Sequence, residues 1–266
     1  MPPYFSERFK RIMSKLPQEY RFVDVSDYGR GMARWIATKL QNTAFTPIHV
    51  TFGFVMAGLL AIGCILTDHF YLAAILLVLK SVLDAADGEL ARLKNTPSYV
   101  GRYLDSVSDI LLNALILGAV GYISSGGIWE VTLAFLGLQL QGTLYNYYYV
   151  ILRNQFQGDT TSRIVEDTVP TAFPGESQRL LGWLFRAYTV LYGLFDRLIF
   201  RLDPRAAHEN RIPSWLMTLV SVFGLGFQLL MIGVFLVSGF PNYILPFFIY
   251  SSLLILVFVG IRRGLN

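Results

Sequence analysis

The chain has 266 residues, of which 54% are hydrophobic, 15% aromatic and 15% charged, and its mean hydropathy is +0.48. A soluble globular domain carries roughly 25% charged residues, so the composition excludes an ordinary soluble domain and indicates that lipid is the main solvent. The single cysteine, Cys64, excludes an internal disulfide and a cysteine-based metal cluster. The formal net charge of +4 is modest, and we expect no nucleic-acid partner.

The first 46 residues form a cytoplasmic or interfacial segment that is rich in charge and lacks the apolar stretch of a secretory signal. Within it, residues 4–16 place four apolar side chains on one helical stripe: Phe5, Phe9, Ile12 and Leu16. This pattern predicts an amphipathic helix that lies on the membrane surface. Packing of the same helix on the cytoplasmic ends of a bundle is an equally open alternative.

Six apolar segments follow, and each has about the 20 residues that a helix needs to cross a hydrocarbon core. Their approximate bounds are 47–67, 70–90, 104–124, 129–152, 214–238 and 242–261. Because only a helix satisfies its own backbone hydrogen bonds in lipid, the sequence predicts an all-α integral membrane protein. We expect one membrane domain over residues 47–266, a six-helix bundle with a cytoplasmic loop at 153–213.

The basic residues of the connecting segments fall on one side of these spans. The turns near 68–69, 125–128 and 239–241 contain no Lys or Arg, whereas loop 153–213 contains eight arginines. By the positive-inside rule the basic side is the cytoplasm, so both termini are expected there. The membrane is expected to be the inner membrane of a bacterium or archaeon, or an endomembrane in a eukaryote.

The long loop 153–213 contains one segment with helical periodicity. Over residues 179–201, apolar side chains recur at alternating intervals of three and four, but charged residues interrupt them too often for a span. An interfacial helix fits this pattern, and so does a helix that packs on the end of the bundle.

The fourth predicted span carries polar side chains inside an apolar segment. Gln139, Gln141 and Asn146 are suited either to lining a cavity or to hydrogen bonding across helices. The tyrosines near the end of this span are typical of an interfacial aromatic belt: Tyr145, Tyr147, Tyr148 and Tyr149.

Four aspartates surround the turn between the second and third spans, in the stretch DAADGELARLKNTPSYVGRYLDSVSD over residues 84–109. Two sets of residues have the spacing of one helical face: Asp84, Asp87, Gly88 and Ala91, and then Gly101, Asp105 and Asp109. Pro97 predicts a break between two helices. Helices joined by so short a turn are antiparallel neighbours, so the two faces can meet at the cytoplasmic edge.

Carboxylates this close to hydrocarbon repel one another unless divalent cations lie between them. Hard oxygen ligands favour Mg²⁺, Mn²⁺ or Ca²⁺ over zinc, and two ions roughly 3.5–4 Å apart would clamp a diphosphate. Gly88 and Ala91 leave room for a ligand against the helix, and Arg92 adds a guanidinium for a phosphate or a carboxylate. Lys80, one turn before Asp84, is either a carboxylate partner or a lysine whose ammonium reaches toward the membrane surface.

The stretch resembles the signature of the CDP-alcohol phosphotransferase (CDP-alcohol phosphatidyltransferase) family, D-x2-D-G-x2-A-R-x8-G-x3-D-x3-D. All eight fixed positions are present with the spacing of that signature. Six predicted spans with the motif at the second turn are also similar to the family, so the resemblance extends over most of the chain.

The resemblance implies a role for each matching residue. Asp84, Asp87 and Asp105 would be the principal metal ligands, and Asp109 would be the general base and could share a metal. The implied cofactor is Mg²⁺ or Mn²⁺, as two ions. For Arg92 two roles stay open, contact with the nucleotide or locking of the turn. The implied nucleotide-binding set is Asp87, Gly88, Ala91, Arg92, Gly101 and Asp105.

One position departs from the family's pattern. The first span of these proteins often begins with Pro-Asn and then a hydroxyl residue, whereas residues 46–51 read TPIHVT. Pro47 and Thr51 fit, but Ile48 stands at the usual asparagine position and puts a nucleotide contact from this helix start in doubt. His49 is either a replacement hydrogen-bond donor or a surface histidine without a ligand role.

The implied reaction joins CDP-X and HO-Y to give X-phospho-Y and CMP. We expect CDP-diacylglycerol with a polar acceptor such as inositol phosphate, glycerol phosphate or serine. The alternative within the family is CDP-choline or CDP-ethanolamine with diacylglycerol. A cation transporter or a metal-dependent lipid phosphatase are alternatives from other classes, although a transporter would place its aspartates nearer the bilayer midplane.

The resemblance also names the partners. They are the CDP-alcohol, the acceptor alcohol, the membrane lipids and a second copy of the chain in a homodimer, for which the sequence itself shows no interface.

Overall fold

The computed structural model of the chain describes residue 16 and residues 22–155, 168–209 and 212–265. All regular structure within these ranges is helical, which confirms the predicted all-α class. The helices are α1 Arg30–Leu40, α2 Pro47–Leu66, α3 Phe70–Lys94, α4 Tyr99–Ile123, α5 Ile128–Gln155, α6 Gln178–Leu202, α7 Ala206–Glu209, α8 Ser214–Val220, α9 Leu225–Val237, α10 Ile244–Ser251 and α11 Leu254–Gly264. Single 3-10 turns occupy Val25–Asp27, Ser221–Phe223 and Pro241–Tyr243.

Among the described residues, three helical stretches are long and apolar enough to cross a membrane: Pro47–Leu66, Tyr99–Ile123 and Pro241–Gly264. The helices on either side of Gly224, bent by 48° relative to each other, make a fourth if the pair is one span. All six predicted segments are helical, but α3 carries Lys80, Asp84 and Asp87, and polar side chains lower the hydropathy of α5. The six-span count and the cytoplasmic termini therefore stay predictions.

The turn between α3 and α4 forms as the sequence predicts. α3 continues to Lys94 and ends at Asn95, whose left-handed backbone (φ 51°) stops the helix. Ser98 Oγ then accepts a hydrogen bond from Gly101 N at 2.7 Å. This cap starts α4 at Tyr99 rather than at residue 104 as predicted, so Gly101 lies within the first turn of the helix.

α1 lies within the first 46 residues, the segment that the sequence predicts to be cytoplasmic or interfacial. Ala33 and Ala37, one turn apart, are fully buried and let α1 pack closely on α3 beside Val82 and Ala86. The amphipathic helix predicted for residues 4–16 lies, apart from Leu16, outside the described residues.

α6 runs along α4 and α5, as one of the two alternatives for this segment predicts. Leu181 and Phe185 are buried against the bundle. The opposite face exposes Trp183, Val190 and Leu194, a face suited to a membrane surface. The helix therefore joins the bundle by one face and presents apolar side chains with the other.

The aromatic belt predicted at the end of α5 is wrong for three of its four tyrosines. Tyr147, Tyr148 and Tyr149 are buried. Tyr148 OH donates to Asp203 Oδ2 at 2.7 Å, and Tyr147 OH donates to Asp203 O at 2.9 Å. Asp203 also pairs with the buried guanidinium of Arg262. Tyr147 and Tyr148 face inward because this buried polar network satisfies their hydroxyls.

Candidate active site

Three of the four aspartates of the motif converge between α3 and α4. Asp84, Asp105 and Asp109 each offer a carboxylate oxygen, and the three oxygens lie within 4.8 Å of one another. Asp105 Oδ1 is buried and has no hydrogen-bond partner among the described residues. A buried anionic oxygen without a donor is suited to a cation, so these residues fit the predicted Mg²⁺ or Mn²⁺.

Asp87 lies on the same face of α3 but outside this group of three. Its Oδ2 accepts a hydrogen bond from Thr51 Oγ1 of α2 at 2.9 Å. Thr51 is the hydroxyl residue that fits the family's pattern, so the start of α2 reaches the site although Ile48 replaces the usual asparagine. The metal role of Asp87 stays a prediction.

His49 has a local structural task. Its Nδ1 accepts from Thr46 N at 2.9 Å, and together with the Thr46 side chain it forms a capping box at the start of α2. His49 lines neither of the cavities described below, which agrees with the alternative of a histidine without a ligand role.

Lys80 is a partner of the general base predicted from the resemblance. The side chain is fully buried, and its Nζ donates to Asp109 Oδ1 at 2.6 Å. The ring of Phe54 lies 5.0 Å from the ammonium. The first of the two alternatives for Lys80, a carboxylate partner, is therefore confirmed.

Two cavities meet at the aspartates, with volumes of about 320 and 370 Å³. We call them the smaller and the larger cavity. The smaller cavity is lined by every residue of the predicted nucleotide-binding set: Asp87, Gly88, Ala91, Arg92, Gly101 and Asp105. The residues that line both cavities are Asp87, Gly88, Arg92 and Asp105. These residues of α3 and α4 thus form a shared wall between the two cavities.

Glu89 is a site residue that sequence reasoning missed. This buried carboxylate accepts from Arg30 Nη1 at 2.9 Å, and its Oε1 lies 3.2 Å from Arg92 Nη2. Glu89 therefore fixes the position of the Arg92 guanidinium. Arg92 lines both cavities, so an arginine held by Glu89 still faces each of them. The sequence gives a weak signal for Glu89, because its partner α1 was not predicted and the residue would otherwise lie on a solvated helix face.

Residues 24–30, which we call the N-terminal segment, form part of the wall of the larger cavity. Tyr145 OH donates to Asp24 Oδ2 at 2.5 Å. A Cβ atom at Gly226 would lie 1.9 Å from Ser26 O, so glycine is required for the close approach of this segment to α9. Sequence reasoning missed this wall because its contacts join residues that are far apart along the chain.

α6 supplies a further wall of the larger cavity through Tyr188, Tyr192 and Asp196. Tyr192 OH donates to Ser106 O at 3.1 Å. Burial, with Asp109 nearby, raises the pKa of Tyr192 well above its usual value, so the hydroxyl keeps its proton at neutral pH. The segment predicted as an interfacial or packing helix is thus also part of the site.

The polar residues of α5 divide between the two alternatives predicted for them. Gln139, Thr143 and Asn146 line the larger cavity. Gln141 instead bonds across helices, because its Nε2 donates to Ser251 Oγ at 2.9 Å. One helix face therefore holds the bundle together while the adjacent face lines the cavity.

The fold and the site together define a class of protein. It is a helical protein that has helices long and apolar enough to cross a membrane and an acidic cluster suited to a divalent cation. Residues 44–165 match a family model described as CDP-alcohol phosphatidyltransferase. The matched residues contain the whole aspartate motif, so the match confirms the resemblance stated from the motif.

Three relatives were compared with the chain. An uncharacterized protein of Aquifex aeolicus is 38% identical over 89 residues, which cover 33% of this chain and 45% of the relative. The CDP-diacylglycerol–serine O-phosphatidyltransferase of Bacillus subtilis is 25% identical over 149 residues, 56% of this chain and 81% of the relative. The archaetidylinositol phosphate synthase of Pyrococcus horikoshii is 36% identical over 99 residues, 36% of this chain and 51% of the relative.

The matches span about half the length of the Aquifex and Pyrococcus relatives. Both named relatives are enzymes of phospholipid synthesis. The names of these two relatives agree with the predicted enzyme class, a transferase of substituted phosphate groups.

Proposed function

We propose that the chain is an integral membrane CDP-alcohol phosphotransferase, which transfers a substituted phosphate group from a CDP-alcohol to an acceptor alcohol and releases CMP. The observation that carries this proposal is the convergence of Asp84, Asp105 and Asp109 where two cavities share a wall. A transfer between two substrates needs two binding sites that meet at the reacting atoms, and this arrangement offers them.

The smaller cavity is the proposed site of the cytidine diphosphate. Gly88, Ala91 and Gly101 present little side-chain bulk there, so a flat base and its ribose can lie against the two helices. Arg92, held by Glu89, would meet a phosphate oxygen from the shared wall. Asp87, bonded to Thr51, would face the same ligand.

Asp84, Asp105 and Asp109 would hold Mg²⁺ or Mn²⁺, and Asp87 is the predicted fourth ligand. When bound, the divalent ion would neutralise the charge that develops on the diphosphate as its bond breaks. The presence of two ions is proposed from the family's pattern and from the number of carboxylates that require neutralisation.

Asp109 is the proposed general base. The acceptor oxygen attacks the β-phosphorus and forms a new phosphorus–oxygen bond. The bond between the β-phosphorus and the bridging oxygen breaks, and its electron pair leaves with CMP. Because Lys80 engages Oδ1, the hydroxyl proton is assigned to Asp109 Oδ2.

The favoured donor is CDP-diacylglycerol, with a polar alcohol as the acceptor. The name of the Bacillus subtilis relative pairs CDP-diacylglycerol with serine, and the Pyrococcus horikoshii relative is named as an archaetidylinositol phosphate synthase. The larger cavity supports a polar acceptor, because amide, hydroxyl and charged side chains line it. Diacylglycerol, the acceptor in the CDP-choline alternative, would have to bury acyl chains against these groups. The site is proposed to open on the cytoplasmic side.

The test is a CMP-release assay on the purified chain in lipid nanodiscs with Mg²⁺. CDP-diacylglycerol or CDP-choline is supplied with and without a panel of acceptors. We expect CMP release from CDP-diacylglycerol only when a polar acceptor is present, and loss of release on chelation. CMP release without any acceptor would indicate transfer to water and favour a phosphatase. No release from either donor with the full panel would contradict the proposal.

A further inference from the structure

We propose that Asn113, Gln139 and Thr143 form an acceptor subsite in the larger cavity, and that this subsite selects an uncharged polyhydroxy alcohol. The inference rests on the proposed function, since it names the chemical class of the acceptor at the same site.

Each of these three side chains is buried and has one polar atom that no described residue pairs. They are 5%, 4% and 6% exposed, respectively, and all line the larger cavity. Asn113 Oδ1, Gln139 Nε2 and Thr143 Oγ1 have no hydrogen-bond partner among the described residues. Buried polar groups in native folds are nearly always paired, so three unpaired groups on one cavity indicate a ligand that pairs them.

Nearby amides of the same bundle show the contrast. Gln228 Nε2 donates to Leu138 O at 3.0 Å, and Gln141 Nε2 donates to Ser251 Oγ at 2.9 Å. Gln228 also lines the larger cavity, so an amide on this cavity can be paired by the fold. Asn113 Oδ1 and Gln139 Nε2 are not paired by the described residues.

The subsite residues lie on two helix faces that line the larger cavity, the aspartate face of α4 and one face of α5. Asn113 lies one turn beyond Asp109 on α4, just as Asp109 lies one turn beyond Asp105. Thr143 lies one turn from Gln139 on the cavity face of α5. An acceptor with one hydroxyl against Asp109 would place its remaining groups against the subsite.

The chemistry of the unpaired atoms matches hydroxyl groups. The amide oxygen of Asn113 accepts a hydrogen bond, the amide nitrogen of Gln139 donates, and the hydroxyl of Thr143 does both. An alcohol hydroxyl can also do both, so a polyol satisfies all three. A phosphate or carboxylate oxygen only accepts and would leave Asn113 Oδ1 unpaired.

The charges around the larger cavity point the same way. Three arginines line this cavity, namely Arg30, Arg92 and Arg153. Arg30 is paired with Asp27 and Glu89, and Arg92 is paired with Glu89. Seven aspartates line the same cavity, namely Asp24, Asp27, Asp84, Asp87, Asp105, Asp109 and Asp196, so carboxylates outnumber guanidinium groups. A phosphorylated acceptor would bring further negative charge into a site already rich in carboxylates, whereas a neutral polyol would not.

The first experiment compares acceptors on the purified full chain in nanodiscs with CDP-diacylglycerol and Mg²⁺. The probes are myo-inositol, glycerol, serine, glycerol 3-phosphate and inositol phosphate. We expect kcat/KM for myo-inositol or glycerol to exceed that for the charged acceptors by roughly tenfold or more, the equivalent of one lost hydrogen bond. Preference for serine or a phosphorylated alcohol would overturn this inference and leave the proposed function intact. CMP release with none of the acceptors would contradict the proposed function itself.

The second experiment replaces subsite residues with apolar side chains of similar shape. Thr143→Val and Asn113→Leu should each raise the acceptor KM by roughly tenfold while the KM for CDP-diacylglycerol is unchanged. The unfolding temperature should stay the same or rise, because Asn113 Oδ1 and Thr143 Oγ1 have no hydrogen-bond partner within the described ranges. Loss of stability with an unchanged acceptor KM would show that the groups are structural and contradict the subsite.

The matched control is Thr132→Val on the same helix. Thr132 Oγ1 bonds Ile128 O at 2.8 Å and lies outside both cavities. The acceptor KM of this variant should equal that of the parent chain. A rise as large as that of Thr143→Val would attribute the effect to α5 as a whole and overturn the assignment.

Discussion

Lys80 Nζ and Asp109 Oδ1 lie 2.6 Å apart between α3 and α4, and the lysine side chain is fully buried. An ammonium within a bundle of this kind is costly unless it is paired, and such residues are functional by default. The pair fixes a positive charge beside the carboxylates of Asp84 and Asp105. It also leaves Asp109 Oδ2 as the oxygen available to a proton or a metal ion.

Lys80→Met tests this pair. The variant keeps the length of the side chain but removes its charge, so Asp109 loses its orientation and turnover should fall by about 10²-fold. Binding of Mn²⁺, followed by electron paramagnetic resonance, should be retained or tightened, because one competing positive charge is gone. Unchanged turnover would show that the pair serves stability alone.

Asp105→Asn and Asp109→Asn separate the proposed metal ligand from the proposed base. Asp105→Asn should abolish CMP release and weaken Mn²⁺ binding, since an anionic ligand is lost. Asp109→Asn should block transfer while Mg²⁺-dependent binding of CDP, measured by calorimetry, persists. Near-normal turnover in Asp109→Asn would remove this residue as the base.

Gly88→Leu tests the shared wall of the two cavities. A Cβ atom at Gly88 would lie 3.6 Å from Arg92 Nη1, an ordinary contact, so Gly88→Ala should be tolerated and serves as the control. The larger leucine would fill the wall and displace Arg92, and the affinity for CDP should fall by roughly tenfold or more. Equal affinity in the two variants would count against the nucleotide site.

Gly226→Ala tests the contact between α9 and the N-terminal segment. The added Cβ would meet backbone oxygen Ser26 O at 1.9 Å, so one of the two elements must move, at a cost of about 1–3 kcal/mol. A lower unfolding temperature is expected. Gly260→Ala on α11, where a Cβ meets nothing within 4 Å, should leave that temperature unchanged or raise it. Equal stability of both variants would contradict the close approach.

The parts of the site that could be predicted depend on local sequence. The spacing of the aspartates places them on two helix faces, and Pro97 with Ser98 marks the turn that brings those faces together. This part of the site needs only helical periodicity and one short connection. The predicted convergence is found for three of the four carboxylates.

The parts that could not be predicted depend on distant contacts. Glu89 becomes a site residue through α1, whose two buried alanines carry little signal in a sequence. The N-terminal segment reaches the larger cavity because Gly226 makes room for it, and no local pattern pairs these regions. The inward position of Tyr147 and Tyr148 likewise depends on Asp203, which lies beyond the next long helix.

The N-terminal segment has a consequence for how the protein is made. Val25 N donates to Ser221 Oγ at 3.0 Å across 196 positions of the chain. The ribosome therefore releases this segment well before α8 and α9 exist, and it must wait for them to dock. A nascent chain that ends before residue 221 already contains α3 and α4, which carry the aspartates. It lacks the surface against which the N-terminal segment packs. Completion of the larger cavity is thus among the last steps of biogenesis.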